Sequence, residues 1–291
     1  MKRIAFIGTA AAVLATPARV LAADIVAQLR DIEASTGGRL GVAVALGRGE
    51  PIVAYRGGER FAMCSTFKFL AVSAALARVD GGKDSLERHV AYGPSDLLEY
   101  APVTRKNLSA GYMTLGDLCA AAIELSDNTA ANLVVASVGG PAAVTAYVRT
   151  LGDAVTRLDR KEPELNTAIP GDPRDTTAPA AMLGDMQAIL LGSALSAGSR
   201  AALLGWMDAN QTGDALLRAG LPHSWRVGDK TGMGGAHNRF GDSDTRNDIA
   251  IAQPPHGKAV VIAAYLTGAQ VAAAQRDAAL ARVARAVIDG R

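Results

Sequence analysis

Strand-like segments stand at the two ends of this chain, and helix-like segments fill the long stretch between them. That order constrains the fold more than any single motif does. Leu40 to Leu46 and Ile52 to Tyr55 are short apolar runs that meet at a turn around Gly47 to Pro51. Strand signals return only at Trp225–Thr231, Asp248–Ala252 and Ala259–Leu266. From Phe67 to about Leu217 the apolar residues recur at helical spacing and alanine is abundant. Helices are expected at Asp24–Thr36, Ser65–Val79, Thr114–Leu125, Thr129–Val138, Ala142–Leu151, Ala180–Leu191 and Ser199–Asp208, with a last amphipathic one from Val271 to Ile288. Pro141 and Pro179 sit where a first-turn proline is tolerated.

The simplest packing is of the α+β class. One antiparallel sheet is assembled from both ends of the chain and flanked by the N- and C-terminal helices; an all-helical lobe forms apart, with the active site between the two. The expected boundaries are 24–61 and 213–291 for the discontinuous α/β lobe and 62–212 for the helical lobe. The helical lobe includes a polar, proline-containing stretch, 157–175, without periodicity. A loop of that length in a compact domain usually has a function.

The first 22 residues read as a signal peptide. Lys2 and Arg3 form a charged start, Ile4 to Ala15 is mostly apolar, and Val20-Leu21-Ala22 ends on a small residue suited to cleavage. The run is shorter than the roughly 20 apolar residues that span a bilayer. An exported, periplasmic or secreted monomer without a membrane anchor is therefore expected. Cleavage removes Lys2, Arg3 and Arg19 and no acid, leaving 27 bases against 28 acids. With a net charge of about −1, no basic run and no aromatic-basic interleaving, nucleic acid is not an expected partner. His89, His223, His237 and His256 are scattered without metal-binding spacing, so no metal and no cofactor is expected.

Chemistry enters with Ser65-Thr66-Phe67-Lys68, which places an amine one helical turn beyond a hydroxyl. A lysine can activate a serine nucleophile without a histidine. The helix carries no charge between Lys68 and Arg78, so burial should press Lys68 to lose its proton. Alone, this motif reads more simply as a helix start with a snorkelling lysine. Ser126-Asp127-Asn128 lies on a tight turn between apolar helices, where a serine can pass a proton to a leaving group and Asn128 can hold a substrate amide. The plain alternative is an N-cap cluster. Glu162-Pro163-Glu164-Leu165-Asn166 offers a carboxylate and an amide able to hold and deprotonate a water. Lys230-Thr231-Gly232 ends a strand and suits a substrate carboxylate, with the glycine admitting a ligand to the backbone. Otherwise Lys230 is an edge lysine that discourages aggregation.

Taken together, S-x-x-K, S-D-N, E-P-E-L-N and K-T-G resemble the class A serine β-lactamases within the wider family of penicillin-binding proteins. Phe61 to Cys64, Glu99 to Thr104, Ser126 to Asn132, Arg157 to Arg160 and Gly171 to Thr177 extend the resemblance along the chain. It implies hydrolysis of penicillin- and cephalosporin-type antibiotics through an acyl-serine intermediate, and so antibiotic resistance. It assigns Ser65 as nucleophile and an oxyanion hole to the backbone N–H groups of Ser65 and Met233. Lys68 becomes base or relay, Ser126 the proton donor to the lactam nitrogen, and Glu162 with Asn166 the holder of the deacylating water. Whether Lys68 or Glu162 takes the serine proton stays open. Lys230, Thr231, Gly232 and Arg246 would bind the substrate carboxylate side, Asn128 the acylamino group, and Tyr100 would line the entrance. Arg160 and Asp175 would pair to close the loop. A D,D-peptidase or a non-enzymatic β-lactam sensor would share Ser65, Lys68, Ser126 and Lys230, but has no use for Glu162 with Asn166.

The chain also departs from that pattern. Met233 to Thr245 spans 13 residues, about twice the length of the matching turn in familiar members. Met233 stands where a small or hydroxylated residue is usual. The stretch is expected to be an elongated hairpin loop with a mobile tip, projecting beside the active-site rim and not forming a new domain. By the same resemblance, Cys64 and Cys119 lack their partners and should be free thiols.

Overall fold

A computed structural model describes residues 17–237 and 239–290 of the chain, with side chains from Ala23 onward. Residues 1–16 of the expected signal peptide lie outside the described residues. The strands are β1 (Arg39–Leu46), β2 (Pro51–Tyr55), β3 (Phe61–Ala62), β4 (His89–Ala91), β5 (Tyr112–Thr114), β6 (Thr176–Thr177), β7 (Arg226–His237), β8 (Ser243–Gln253) and β9 (Val260–Thr267). The helices are α1 (Pro17–Thr36), α2 (Phe67–Asp80), α3 (Leu115–Glu124), α4 (Asn128–Val138), α5 (Pro141–Thr150), α6 (Pro179–Met186), α7 (Ala197–Asp208) and α8 (Ala273–Asp289).

The main sheet has the order β2-β1-β9-β8-β7 and is antiparallel throughout. β1 from the start of the chain pairs along its whole length with β9 from the end, Arg39 opposite Thr267 through Leu46 opposite Val260. Both faces are covered, so alternate residues serve two cores. Leu40, Val42 and Val44 of β1 join Ile262, Ala264, Ile25, Leu29, Leu280 and Val283 under α1 and α8. Ala43 and Ala45 face the other way, with Val261, Ala263, Tyr265 and the helices from α2 onward.

Helix α2 is the axis of that second core. Every residue from Phe67 to Leu76 is buried, Lys68 included. Ser73 within it is satisfied locally, its hydroxyl donating to Phe69 O at 2.7 Å. Truncating Leu70 or Phe69 to alanine would cost about 2–5 kcal/mol.

Several expectations need correction. Helix α1 begins at Pro17, not Asp24, and so runs through the expected cleavage site. A π-helical turn, Gln187–Leu191, finishes the helix expected to reach Leu191. The two-stranded ribbons β3–β6 and β4–β5 were not anticipated. β7 does not end at Thr231: the expected hairpin across Met233 to Thr245 is present, but its arms are strand further out than expected. Pairing continues through Met233–Arg246 and Gly234–Thr245, shifts register, and resumes at His237–Ser243. Among the described residues no single helix is long and apolar enough to cross a membrane.

Candidate active site

Ser65 lies in a single 3₁₀ turn, Cys64–Thr66, that leads into α2. Cys64 before it has φ +45°, a conformation uncommon outside glycine. The turn is held from the sheet. Asn247 of β8 donates its Nδ2 to Ala62 O (2.9 Å) and Met63 O (3.0 Å). β7 packs alongside, and a Cβ on Gly232 would stand 2.8 Å from Met63 O, so only glycine permits this approach. The same strand carries Met233, half exposed, next to the turn.

Glu162 meets the nucleophile turn from the other side. The Ser65 hydroxyl donates to Glu162 Oε1 at 3.1 Å, and Lys68 Nζ stands 3.1 Å from that same oxygen. Asn166 Nδ2 donates to Glu162 Oε2. The Glu162–Pro163 peptide is cis. Asn132 fixes the backbone of Glu162: its Nδ2 donates to Glu162 O (2.9 Å) and its Oδ1 accepts Glu162 N–H (3.0 Å). No role had been given to Asn132 from sequence, although it lies one turn beyond Asn128 on α4 and so shares its face.

Lys68 Nζ also donates to Ser126 O (2.7 Å), Ser126 Oγ (3.1 Å) and Asn128 Oδ1 (2.6 Å). Burial pushes its ammonium below the ordinary lysine value, against the opposing pull of Glu162. Lys230 Nζ reaches Ser126 Oγ from β7 at 3.1 Å and donates to Thr231 O at 2.9 Å. Its ammonium is lowered to about 7 by burial and by Lys68. Ser126 thus stands between two buried amines, at φ +55°. Lys230 sits on the edge strand yet has no exposure, so the aggregation-guard reading of this lysine is set aside.

The S-D-N turn divides its work. Asp127, not Ser126 or Asn128, caps α4 by accepting Ala130 N–H at 2.8 Å. The same carboxylate accepts from Val103 N, Thr104 N and Thr104 Oγ1. Asn128 N–H donates to the backbone O of Tyr100 at 3.0 Å, which brings Tyr100, itself half exposed, beside this turn. Thr231 shares a hydrogen bond with Thr212 (2.6 Å), a neighbour the motif did not signal. Arg246, across from Met233, donates Nε to Asp277 at 2.7 Å; its charge is matched within the protein before any substrate arrives.

The loop that carries Glu162 is closed by Asp175, fully buried, which accepts from Asp159 N (2.7 Å), Arg160 N (2.8 Å) and Arg160 Nε (2.5 Å). A cavity of about 640 Å³ behind this loop is lined by Arg60, Arg160, Ile169 and Arg174, among others, but by none of Ser65, Lys68 or Glu162. The polar constellation, not cavity size, locates the chemistry. Cys64 and Cys119 are both buried and free, and burial raises both thiols well above their usual value. Among the described residues no cluster of metal-ligating side chains occurs.

Comparison with known proteins agrees with this geometry. Residues 24–290 match the sequence profile described as the β-lactamase enzyme family. The chain is 48% identical over 267 residues to Beta-lactamase CTX-M-25 of Escherichia coli, covering 92% of this chain and 89% of that protein. It is 45% identical over 263 residues to Beta-lactamase OXY-2 of Klebsiella oxytoca, covering 90% and 88%. It superposes on an ancestral (GNCA) class A β-lactamase with a TM-score of 0.87 at 55% identity, covering 92% of this chain and 100% of the other. For a putative class A enzyme, PenP of Rhodopseudomonas palustris, the TM-score is 0.87, the identity 50% and the coverage 92% and 99%. With the match running over nearly the whole chain, this protein belongs to the class A β-lactamases, serine enzymes that hydrolyse the β-lactam ring.

Proposed function

We propose that Ser65 is the nucleophile of this β-lactam hydrolase and that Glu162 serves both halves of its cycle. The carrying observation is Glu162 Oε1, which lies 3.1 Å from Ser65 Oγ and 3.1 Å from Lys68 Nζ while Asn166 holds the other oxygen. Ser65 Oγ attacks the lactam carbonyl as its proton passes to the Glu162–Lys68 pair. The direct hydrogen bond from Ser65 to Glu162 supports the carboxylate as first acceptor. Charge develops on the carbonyl oxygen, and the backbone N–H groups of Ser65 and Met233 receive it. The C–N bond then breaks and the nitrogen takes the Ser126 proton, which Lys68 replaces with the proton drawn from Ser65, leaving Glu162 a carboxylate again. In the second half Glu162 and Asn166 orient a water; Glu162 takes its proton as the water oxygen bonds to the acyl carbon, and the bond to Ser65 breaks as Ser65 Oγ regains that proton.

Lys230 and Thr231 bind the substrate carboxylate, with Gly232 admitting it to the strand, and Arg246 adds to their field while paired with Asp277. Asn128 holds the acylamino group and Tyr100 lines the entrance. The cleft falls between the lobes bounded at 24–61 with 213–291 and at 62–212. His237, Arg239 and Phe240, on the extended hairpin, contact the side chains of bulky substrates; Phe240 is half exposed and the Arg239 guanidinium lies 4.9 Å from its ring centroid. The mature enzyme is an exported monomer that begins at Ala23 after signal cleavage.

The test is covalent. Mixing the protein with a slowly released β-lactam should add one acyl mass, and peptide mapping should place it on Ser65. An adduct on another residue would overturn the assignment. Turnover of a D-Ala-D-Ala peptide faster than of benzylpenicillin would favour the peptidase.

A further inference from the structure

The hairpin between β7 and β8 is the part of this chain that motif logic leaves without a purpose. Its root is fixed by chemistry. Met233 and Gly234 pair with Arg246 and Thr245, and a Cβ on Gly234 would fall 2.5 Å from Asn166 O. Above the root the ladder breaks, and among the described residues only His237–Ser243 pairs again. Gly235, at φ +84°, makes the bend; a Cβ there would stand 1.9 Å from Asp244 Oδ1. So few ladder bonds cannot by themselves define how the outer hairpin tilts.

The second arm is tied to the sheet–helix corner behind it. Ala269 N–H donates to Asp244 O at 2.9 Å, and Thr245 Oγ1 and Thr267 Oγ1 share a hydrogen bond of 2.9 Å. A further tie is Asp242, whose Oδ2 accepts Ala273 N–H, the first amide of α8, at 2.9 Å. Such an amide has no partner within its own helix, and the helix dipole favours a carboxylate there. Below it lies Arg276, 2% exposed, with Nε and Nη1 making no hydrogen bond. Burial lowers the pKa of this guanidinium, the charges of Asp242, Asp277 and Asp244 favour its cationic form, and that of Arg246 opposes it. A buried guanidinium with unfilled donors holds its carboxylates close, because their loss would leave its charge uncompensated.

We propose that Asp242 is a positioning residue: by tying the hairpin tip to α8, it sets how the hairpin stands beside the cleft and so fixes the preference between compact and bulky β-lactams. This rests on the reading that the hairpin meets bulky side chains. Asp242 touches no reacting atom.

The experiment compares the wild type, D242A, D242N and a hairpin shortened between Gly235 and Ser243. Two quantities are read for each: hydrogen exchange at the Ala273 amide, and the ratio of kcat/KM for a cephalosporin with a bulky acylamino side chain to kcat/KM for benzylpenicillin. D242A should speed exchange at Ala273 and move the ratio by about fivefold, with benzylpenicillin within about twofold of wild type. D242N, which keeps an oxygen acceptor, should leave the ratio near wild type, and the shortened hairpin should move it as D242A does. If D242A frees the Ala273 amide while only the shortened hairpin moves the ratio, the tie does not govern preference and the proposal fails. If D242N behaves as D242A does, charge toward Arg276 matters and the tie does not; the proposal fails again. If no variant moves the ratio, the hairpin reading itself falls. Should D242A not fold, D242N and the wild type in an exchange experiment still show whether an uncharged acceptor maintains the tie.

Discussion

Two irregular stretches border Ser65, the 157–175 loop and the 233–245 hairpin, and they are held in different ways. The loop depends on buried polar side chains. Asp175 accepts three hydrogen bonds from Asp159 and Arg160, Asn132 clamps both backbone groups of Glu162, and Thr156 bonds Thr177 at 2.6 Å. The hairpin depends on a backbone ladder at its root and on Asp242 at its tip. The difference follows from what each contributes. A side-chain carboxylate must be placed to a fraction of an ångström, which a free loop cannot do, so a network surrounds it. In the proposed mechanism the hairpin contributes only a backbone N–H at Met233, and strand pairing can position a backbone group without further help.

That contrast can be broken first at the loop. D175A removes the two oxygens that accept three hydrogen bonds and leaves the Arg160 guanidinium without its carboxylate. Displacement of Glu162 should slow deacylation by about 100-fold, with acylation less affected. Single-turnover kinetics with a chromogenic cephalosporin would measure both steps; wild-type deacylation in folded D175A would show that the network does not place Glu162. N132A tests the clamp alone. Losing a paired contact to the Glu162 backbone should lower kcat by about tenfold while leaving KM for benzylpenicillin nearly unchanged. An unchanged kcat would leave Asn132 a purely structural neighbour.

The hairpin side can be sharpened through pH. Lys230 on β7 is lowered to about 7 by burial and by Lys68, so it is cationic below that pH and neutral above it. A carboxylate-binding role then predicts that kcat/KM falls by a few-fold as pH rises through about 7. K230R, which stays charged, should flatten that limb. A limb that persists unchanged in K230R would assign the titration to another group.

The comparison also explains what was legible in the sequence. Ser65 and Lys68 could be read because they are one turn apart, in a 3₁₀ turn and the helix it leads into, and the sheet could be read because β1 and β9 are largely apolar runs. Asn132, Thr212 and Asp277 could not. Their partners lie far along the chain, and only the fold brings Asn132 to Glu162 or Asp277 to Arg246. The hairpin was legible in outline but the reach of its strands was not: Gly234, Gly235 and Gly241 with Asp242 to Asp244 carry turn chemistry, and tertiary pairing extends the ladder into them. The α2 burial that lowers Lys68 was foreseeable from the charge-free run that follows it.

The central claim is that Glu162 breaks the acyl-serine that Ser65 forms. The most direct measurement is intact mass of E162Q within seconds to minutes of mixing with benzylpenicillin. The account predicts a penicilloyl adduct on Ser65 that accumulates and persists, because the water has lost its base while the nucleophile can still react through Lys68. Rapid turnover by E162Q, with no accumulated adduct, would contradict it.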